Sequence, residues 1–125
     1  WRARIAGWRN LYVPAAKVLH AGSGTSGSRY NEFKVTLSSR NNVYLIWKNM
    51  PFLQLLMNLP FLLAGFGVKF LFFLRKGLGG IYARGLLEGV RMCGKGTRVK
   101  FSCKNLPCYV KIQLELWINV VKRFG

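Results

Sequence analysis

Acidic residues and histidine are almost missing from this sequence, which contains no aspartate, three glutamates and one histidine, His20. A Ser/His/Asp triad or a catalytic carboxylate pair cannot be assembled from so few groups. The cysteines, Cys93, Cys103 and Cys108, have a C-x9-C-x4-C spacing that matches no compact zinc signature, so we expect reduced thiols that serve packing. Any catalysis therefore needs groups from outside these 125 residues.

The charge that is present is overwhelmingly positive, since 20 Lys and Arg give a net charge of +17. Such an excess indicates an anionic partner: nucleic acid, phosphorylated small molecules or anionic lipid headgroups. Apolar residues make up 51% of the chain, with nine Phe and four Trp, which is too many for a basic nucleic-acid tail. The basic residues also do not gather into one recognition helix. The composition favours a protein of an anionic membrane surface and argues against nucleic acid.

The amino-terminal residues predict a helix end, a short extended segment and a loop. Residues 1–6 are typical of the last turns of a helix that Gly7 stops, because glycine tolerates the positive φ needed there. The strings "LYV" (11–13) and "AAKVLH" (15–20) predict short β structure. Three Gly, three Ser and one Thr in "AGSGTSGS" (21–28) predict a mobile loop.

A helix over residues 29–48 is predicted by aromatic and aliphatic side chains that recur at three- and four-residue steps. Asn41 falls on that apolar stripe. A buried amide needs hydrogen-bond partners, so we expect Asn41 and its neighbour Arg40 to bond to another element of the fold.

A run of 20 residues without charge lies between Lys48 and Lys69, which is long enough to span a bilayer. Two prolines and the amides Gln54 and Asn58 interrupt this run, and strong positive charge lies on both sides of it. We therefore expect an interfacial or re-entrant pair of helices hinged near Pro60, with both ends on the cytoplasmic side.

The carboxyl-terminal residues mix apolar and basic side chains. Leu, Ile, Tyr and Met alternate with spaced Arg and Lys over residues 75–100, which predicts an amphipathic helix on anionic lipid. The tail "YVKIQLELWINVVKRF" (109–124) fits both a strand alternation and a helical stripe, and its 16 residues favour a helix.

Two ordered strings, "WRARIAGWRNLYVPAAKVLHAGSGTSGS" (1–28) and "SSRNNVYLIWKNMP" (38–51), closely resemble the carboxyl-terminal end of bacterial family 2 glycosyltransferases, especially the rhamnosyltransferase-like members that build surface polysaccharides. In that family a W-R-x-R-x-x-G helix follows the Glu-Asp pair that supplies the catalytic base. A V-P-x-A-x-V-x-H strand, a Gly/Ser loop and a helix with an R-N pair come next. The matching positions here are Trp1, Arg2, Arg4, Gly7, Val13, Pro14, Ala16, Val18, His20, Arg40 and Asn41.

The resemblance implies a GT-A fold, an α/β nucleotide-sugar domain in which a divalent metal, Mg²⁺ or Mn²⁺, holds the donor diphosphate. The family's metal motif and base would precede Trp1, so we expect a carboxyl-terminal fragment that is inactive alone. His20 would coordinate the metal or hydrogen-bond the diphosphate, and Trp1 and Arg2 would form an edge of the acceptor site. The residues expected to bind the donor diphosphate or to form its lid are Ser23, Gly24, Thr25, Ser26, Arg29 and Arg40.

The expected fold class is mainly α with a short β segment: the edge of a GT-A domain followed by membrane-associated amphipathic helices. We expect the end of the catalytic domain with its lid at 1–28, a connecting helix at 29–49, apolar interfacial or re-entrant helices at 50–76 and a basic amphipathic region at 77–125. The expected function is sugar transfer from a nucleotide-sugar donor to a lipid-linked or polysaccharide acceptor at the cytoplasmic face of the bacterial inner membrane. The alternative is a basic membrane-binding module without enzymatic activity.

Overall fold

The computed structural model describes residues 1–18 and 30–124, which form helices and no strand. The mainly α prediction is confirmed for this part of the chain. Two compact units are present, one formed by residues 1–18 and 100–124 and the other by residues 30–99. The helices are α1 (Arg2–Ile5), α2 (Glu32–Asn49), α3 (Phe52–Arg75), α4 (Gly79–Cys93), a 3-10 turn (Cys103–Asn105) and α5 (Leu106–Phe124).

The predicted β segment is wrong for the residues that the structure describes. Residues 11–18 contain a turn at Pro14 and no ladder, and the side chains of Leu11 and Tyr12 are exposed. Aromatic and β-branched residues favour extended backbone, but a strand forms only when a second strand pairs with it. The rest of that prediction, at residues 19 and 20, lies outside the described residues. Gly7 does end α1 as predicted, with φ of +86°.

The helix predicted at 29–48 is confirmed by α2 from Glu32 onward; residues 30 and 31 precede it, and residue 29 lies outside the described residues. Asn31 caps its amino terminus, because the Asn31 side-chain oxygen accepts a 2.8 Å hydrogen bond from the Lys34 backbone N–H. The helix ends at Met50, which is extended, as the residue before a proline prefers to be. The helix predicted for the tail is likewise confirmed by α5.

Small residues bring α2 and α4 into close contact. Ser39 on α2 is fully buried and donates a 2.8 Å hydrogen bond to the Val35 carbonyl oxygen. Its hydroxyl faces Gly85 of α4, while Arg40 and Val43 of α2 face Gly89. The two glycines are spaced G-x-x-x-G and are both buried. A methyl group added at Gly89 would lie 2.7 Å from the Arg40 carbonyl oxygen, so only glycine permits this backbone approach.

A single helix, α3, occupies the apolar segment, so the prediction of a hinged pair of helices is wrong. Its 24 residues continue through Pro60. Proline removes one backbone N–H, but breaking the helix there would leave several more backbone groups without their intrahelical partners. One lost hydrogen bond is the smaller cost.

The unit formed by residues 1–18 and 100–124 has a small core where α1 meets α5. Ile5 packs against Tyr109 and Ile112, which are all buried. Beside this core the Arg4 guanidinium donates a hydrogen bond to the Glu115 carboxylate, and the two form an ion pair. A four-residue helix has no stability of its own, so α1 depends on α5.

Replacing Ile112 by alanine is expected to release α1. The Ile112 side chain is 4% exposed, and truncating a buried isoleucine costs about 2–4 kcal/mol. Hydrogen exchange read by mass spectrometry should show lost protection at the Ile5 and Ala6 amides, which bond to carbonyl oxygens of Trp1 and Arg2. Ile118→Ala is the matched control, because Ile118 on the same helix is 50% exposed. Equal protection of α1 in both variants would contradict the expected result.

Candidate functional site

The sequence-predicted site residues are only partly within the described chain. Trp1 and Arg2 lie together at the start of α1, both exposed. Arg40 lies on α2 in the other unit, half-buried. The remaining predicted site residues lie outside the described residues; they are His20, Ser23, Gly24, Thr25, Ser26 and Arg29.

Within residues 1–18 and 30–124, the side chains of Arg40 and Asn41 bond to each other and not to another element, so that expectation is wrong for the described residues. The Asn41 side chain is exposed, and its oxygen accepts a 3.3 Å hydrogen bond from Arg40 Nε. The helix turns its Ser39 side toward α4, and this places Asn41 at the surface. The apolar stripe read from the sequence was therefore rotated relative to the buried face.

The described ranges contain no group of three or more His, Cys, Asp or Glu side chains that could hold a metal ion. The metal that the family resemblance implies therefore has no ligand set among them, and we assign no chemical step to it.

Cys93 is poorly suited to be a nucleophile. Its thiol donates a 3.2 Å hydrogen bond to the Gly89 carbonyl oxygen, and burial raises the pKa of the Cys93 thiol despite lowering contributions from the backbone and from Arg98. A raised pKa leaves less thiolate at neutral pH, and thiolate is the reactive form.

Burial affects one tyrosine in the same way. Tyr82 stacks on Phe73 with 5.1 Å between the ring centres, and burial raises the pKa of the Tyr82 hydroxyl.

We expect Cys93 to react with iodoacetamide more slowly than Cys103, by about tenfold for each unit of pKa difference and further through its partial burial. Cys103 is exposed. Mass spectrometry of peptides after timed alkylation at pH 7.5 measures both rates. The Cys93 rate should rise as pH rises, because the raised pKa places its deprotonation at higher pH. Equal rates for the two thiols would contradict the expectation.

The α3 surface is inverted relative to a water-soluble helix. Its two buried residues are polar, Gln54 and Asn58, each 6% exposed, and Asn58 Nδ2 donates a 2.7 Å hydrogen bond to the Gln54 carbonyl oxygen. Its large apolar side chains are on the outside. Those exposed are Phe52, Leu53, Leu56, Met57, Leu59, Phe61, Leu63, Val68, Leu71, Phe72 and Leu74. Among the described helices, α3 alone is long and apolar enough to cross a membrane.

Aromatic and basic side chains gather near the amino-terminal end of α3. Arg98 lies over the Trp47 ring at 5.5 Å, and its Nη2 donates a 2.6 Å hydrogen bond to the Met50 carbonyl oxygen. Lys48 lies 5.5 Å from the Tyr44 ring, which stacks on Trp47. Each cation is thus held against an aromatic face.

A second such cluster lies at the carboxyl-terminal end of α3. The Tyr30 ring meets Phe72 and Phe73 edge-on at 5.6 and 5.9 Å. Lys76 lies 5.6 Å from the Tyr30 ring and 5.5 Å from the Phe72 ring. Amphipathic aromatic and long basic side chains are the groups that prefer the boundary between lipid and water. The positions of Trp47 before the apolar run and of Lys76 after it can be read from the sequence. The contacts of these side chains with other rings and cations cannot.

Comparisons with known protein families, curated proteins and solved structures find no match for this chain.

Proposed function

We propose that this chain is the membrane-attached part of a glycosyltransferase and that α3 holds it in the lipid. The inverted α3 supports the attachment. A helix whose apolar side chains face outward, while Gln54 and Asn58 face inward, minimises its free energy in hydrocarbon and not in water. Eleven large aliphatic and aromatic side chains of α3 are exposed, and an exposed apolar surface of this kind marks a site of contact with a membrane or a protein.

The dimensions and charges of α3 agree with immersion. Twenty-four residues at 1.5 Å each give a length of about 36 Å, which is comparable with a bilayer core of about 30 Å. Lys69 is the one charged residue of α3 before its last residue, Arg75, and it lies six residues from that end, about 9 Å away. A lysine at that distance can extend its ammonium group to the headgroups.

The enzymatic part of the proposal is supported by the family resemblance of residues 1–51. In the proposed reaction an acceptor hydroxyl displaces the nucleotide from the anomeric carbon of the donor sugar. The hydroxyl proton goes to a carboxylate outside these residues. Trp1 and Arg2 are proposed at the acceptor edge, where both are exposed, and Arg40 on the donor diphosphate.

Two measurements test the proposal, one for each part. The chain is mixed with phosphatidylcholine–phosphatidylglycerol vesicles and floated through a density gradient, then washed with concentrated salt. Attachment through α3 predicts that the chain stays with the vesicles after the wash, because hydrophobic contacts are not screened by salt. Recovery of soluble chain in the wash would contradict attachment by α3.

The second measurement uses the longest gene product that contains these residues. Membranes carrying it are supplied with labelled nucleotide sugars, and transfer to lipid or polysaccharide is counted. His20→Ala is expected to lower turnover by about tenfold or more while leaving membrane attachment intact, and the exposed Cys103→Ala serves as the control. Vesicle attachment without transfer from any nucleotide sugar would favour the non-enzymatic membrane module.

A further inference from the structure

We propose that α5 is a second membrane-contacting element, which lies along an anionic bilayer surface through an exposed apolar stripe. This goes beyond the attachment assigned to α3, because α5 belongs to the other compact unit. We call this surface the outer stripe. Its members, each more than a third exposed, are Leu106, Val110, Leu114, Trp117, Ile118 and Val121.

The outer stripe is one continuous face of the helix. Steps of four residues join Leu106, Val110, Leu114 and Ile118, and four residues also separate Trp117 from Val121, so these side chains lie along one side. The start of the stripe is slightly concave: Leu106, Pro107, Val110, Lys111, Leu114 and Glu115 line a shallow depression of about 520 Å³.

A different face of α5 already makes the protein core. Tyr109 and Ile112 are buried against Ile5, and Gln113 is buried beside them. The helix therefore has two apolar faces, of which the α1 contact covers one. In contrast, α4 packs its closest face, at Gly85 and Gly89, against α2.

The charges around the outer stripe favour an anionic occupant. Lys111 and Lys122 follow the stripe along one edge of the helix, and both are exposed. The only carboxylate side chain in this unit, that of Glu115, is paired with Arg4. An apolar face bordered by lysines, with a tryptophan among its members, is the pattern of a helix that lies in the lipid interface.

An acidic protein groove would satisfy the same charges, but the bilayer is the occupant that we choose. The stripe has no polar member over its length, and α3 in the same chain exposes eleven large apolar side chains that a bilayer would also cover. This choice of partner rests on the proposed membrane attachment, so the experiment reports on α3 and α5 separately.

The test places single spin labels in the full chain. The three native cysteines are changed to serine, and one cysteine at a time is introduced as Val110→Cys, Leu114→Cys or Val121→Cys in the stripe. Asn119→Cys marks the exposed polar side of α5, and Leu63→Cys marks α3. Circular dichroism first confirms that each labelled chain keeps its helix content. Collision with oxygen and with a water-soluble nickel chelate is then measured on vesicles.

On phosphatidylcholine–phosphatidylglycerol vesicles the stripe labels are expected to lie about 5–10 Å below the headgroups. At that depth the labels collide with oxygen and are shielded from the nickel chelate. The label at position 119 is expected to remain open to nickel. On pure phosphatidylcholine the stripe labels are expected to become more accessible to nickel. Lys111→Gln and Lys122→Gln together are expected to lower the immersed fraction, by about fivefold for each lysine at limiting lipid.

Three outcomes decide between the occupants. Stripe labels open to nickel on anionic vesicles, with the Leu63→Cys label immersed, would overturn the α5 proposal and leave attachment by α3 standing. Stripe labels shielded from both oxygen and nickel, or broadened by a neighbouring label, would show a covering protein surface or a second copy, and would also overturn it. A water-exposed label at position 63 would instead contradict the proposed attachment by α3, independently of the result for the α5 labels.

Discussion

Gly85→Ala is expected to lower the free energy of unfolding of the unit formed by residues 30–99 by about 2–3 kcal/mol. The added methyl group would overlap the Ser39 hydroxyl and lie 2.8 Å from the Thr36 carbonyl oxygen. The hydroxyl can rotate, but the carbonyl belongs to the α2 backbone, so α2 and α4 must separate. Their separation would weaken the contact on which this unit depends.

The measurement is chemical unfolding followed by circular dichroism in detergent micelles. Gly80→Ala is the matched control on the same helix, because nothing lies within 4 Å of a methyl group there. That variant is expected to be neutral or more stable by up to about 1 kcal/mol, since alanine favours helix more than glycine does.

Combining Gly85→Ala with Ser39→Ala removes the hydroxyl but leaves the Thr36 carbonyl oxygen in place. We therefore expect recovery of only part of the lost stability, and a double-mutant cycle gives the coupling between the two positions. If Gly85→Ala and Gly80→Ala unfold at the same denaturant concentration, then the close α2–α4 contact does not exist in solution.

Leu63→Asp is expected to weaken the binding of the chain to vesicles by about a hundredfold. A carboxylate in the hydrocarbon core costs about 3 kcal/mol, which corresponds to a factor of about 150 in a binding constant. Leu63 is 62% exposed near the middle of α3, where no basic residue lies within one turn to offset the charge.

Leu87→Asp provides the control for the same chemical change at nearly the same exposure. Leu87 is 60% exposed on α4 and lies between Arg84 and Arg91, which are also exposed. A charge at that polar surface is expected to change vesicle binding by less than about fivefold. Distribution of the chain between vesicles and buffer at limiting lipid gives both values. Similar losses for the two variants would mean that net charge, and not immersion of α3, controls binding.

Local rules predicted much of the helical structure. The 3.6-residue repeat indicated α2 and α5, and Gly7 was identified as a helix stop because its positive φ is a local requirement. The segment at 11–18 was misread because strand formation depends on a partner strand, which one sequence string does not reveal. The hinge predicted at Pro60 was wrong for a related reason. Whether proline ends a helix depends on the surroundings of the helix, and α3 continues through Pro60.

The candidate surfaces depended on contacts that no local pattern contains. The spacing of Gly85 and Gly89 was visible, but not that Ser39 and Arg40 of α2 would face them. The amides Gln54 and Asn58 were noted as interruptions of an apolar run, whereas their inward orientation appears only after the chain is folded. Asn41 was assigned to the wrong side of α2 because the stripe was drawn through Asn41, which is two positions from the buried Ser39.

The ion pair between α1 and α5 limits when α1 can fold during synthesis of the chain. Its two partners are separated by 111 positions along the chain. A ribosome that adds about 5–20 residues per second needs roughly 5–20 seconds to travel from one to the other. The apolar α3 is synthesised in that interval. The small α1 can therefore pack against α5 only after the last helix has emerged from the ribosome.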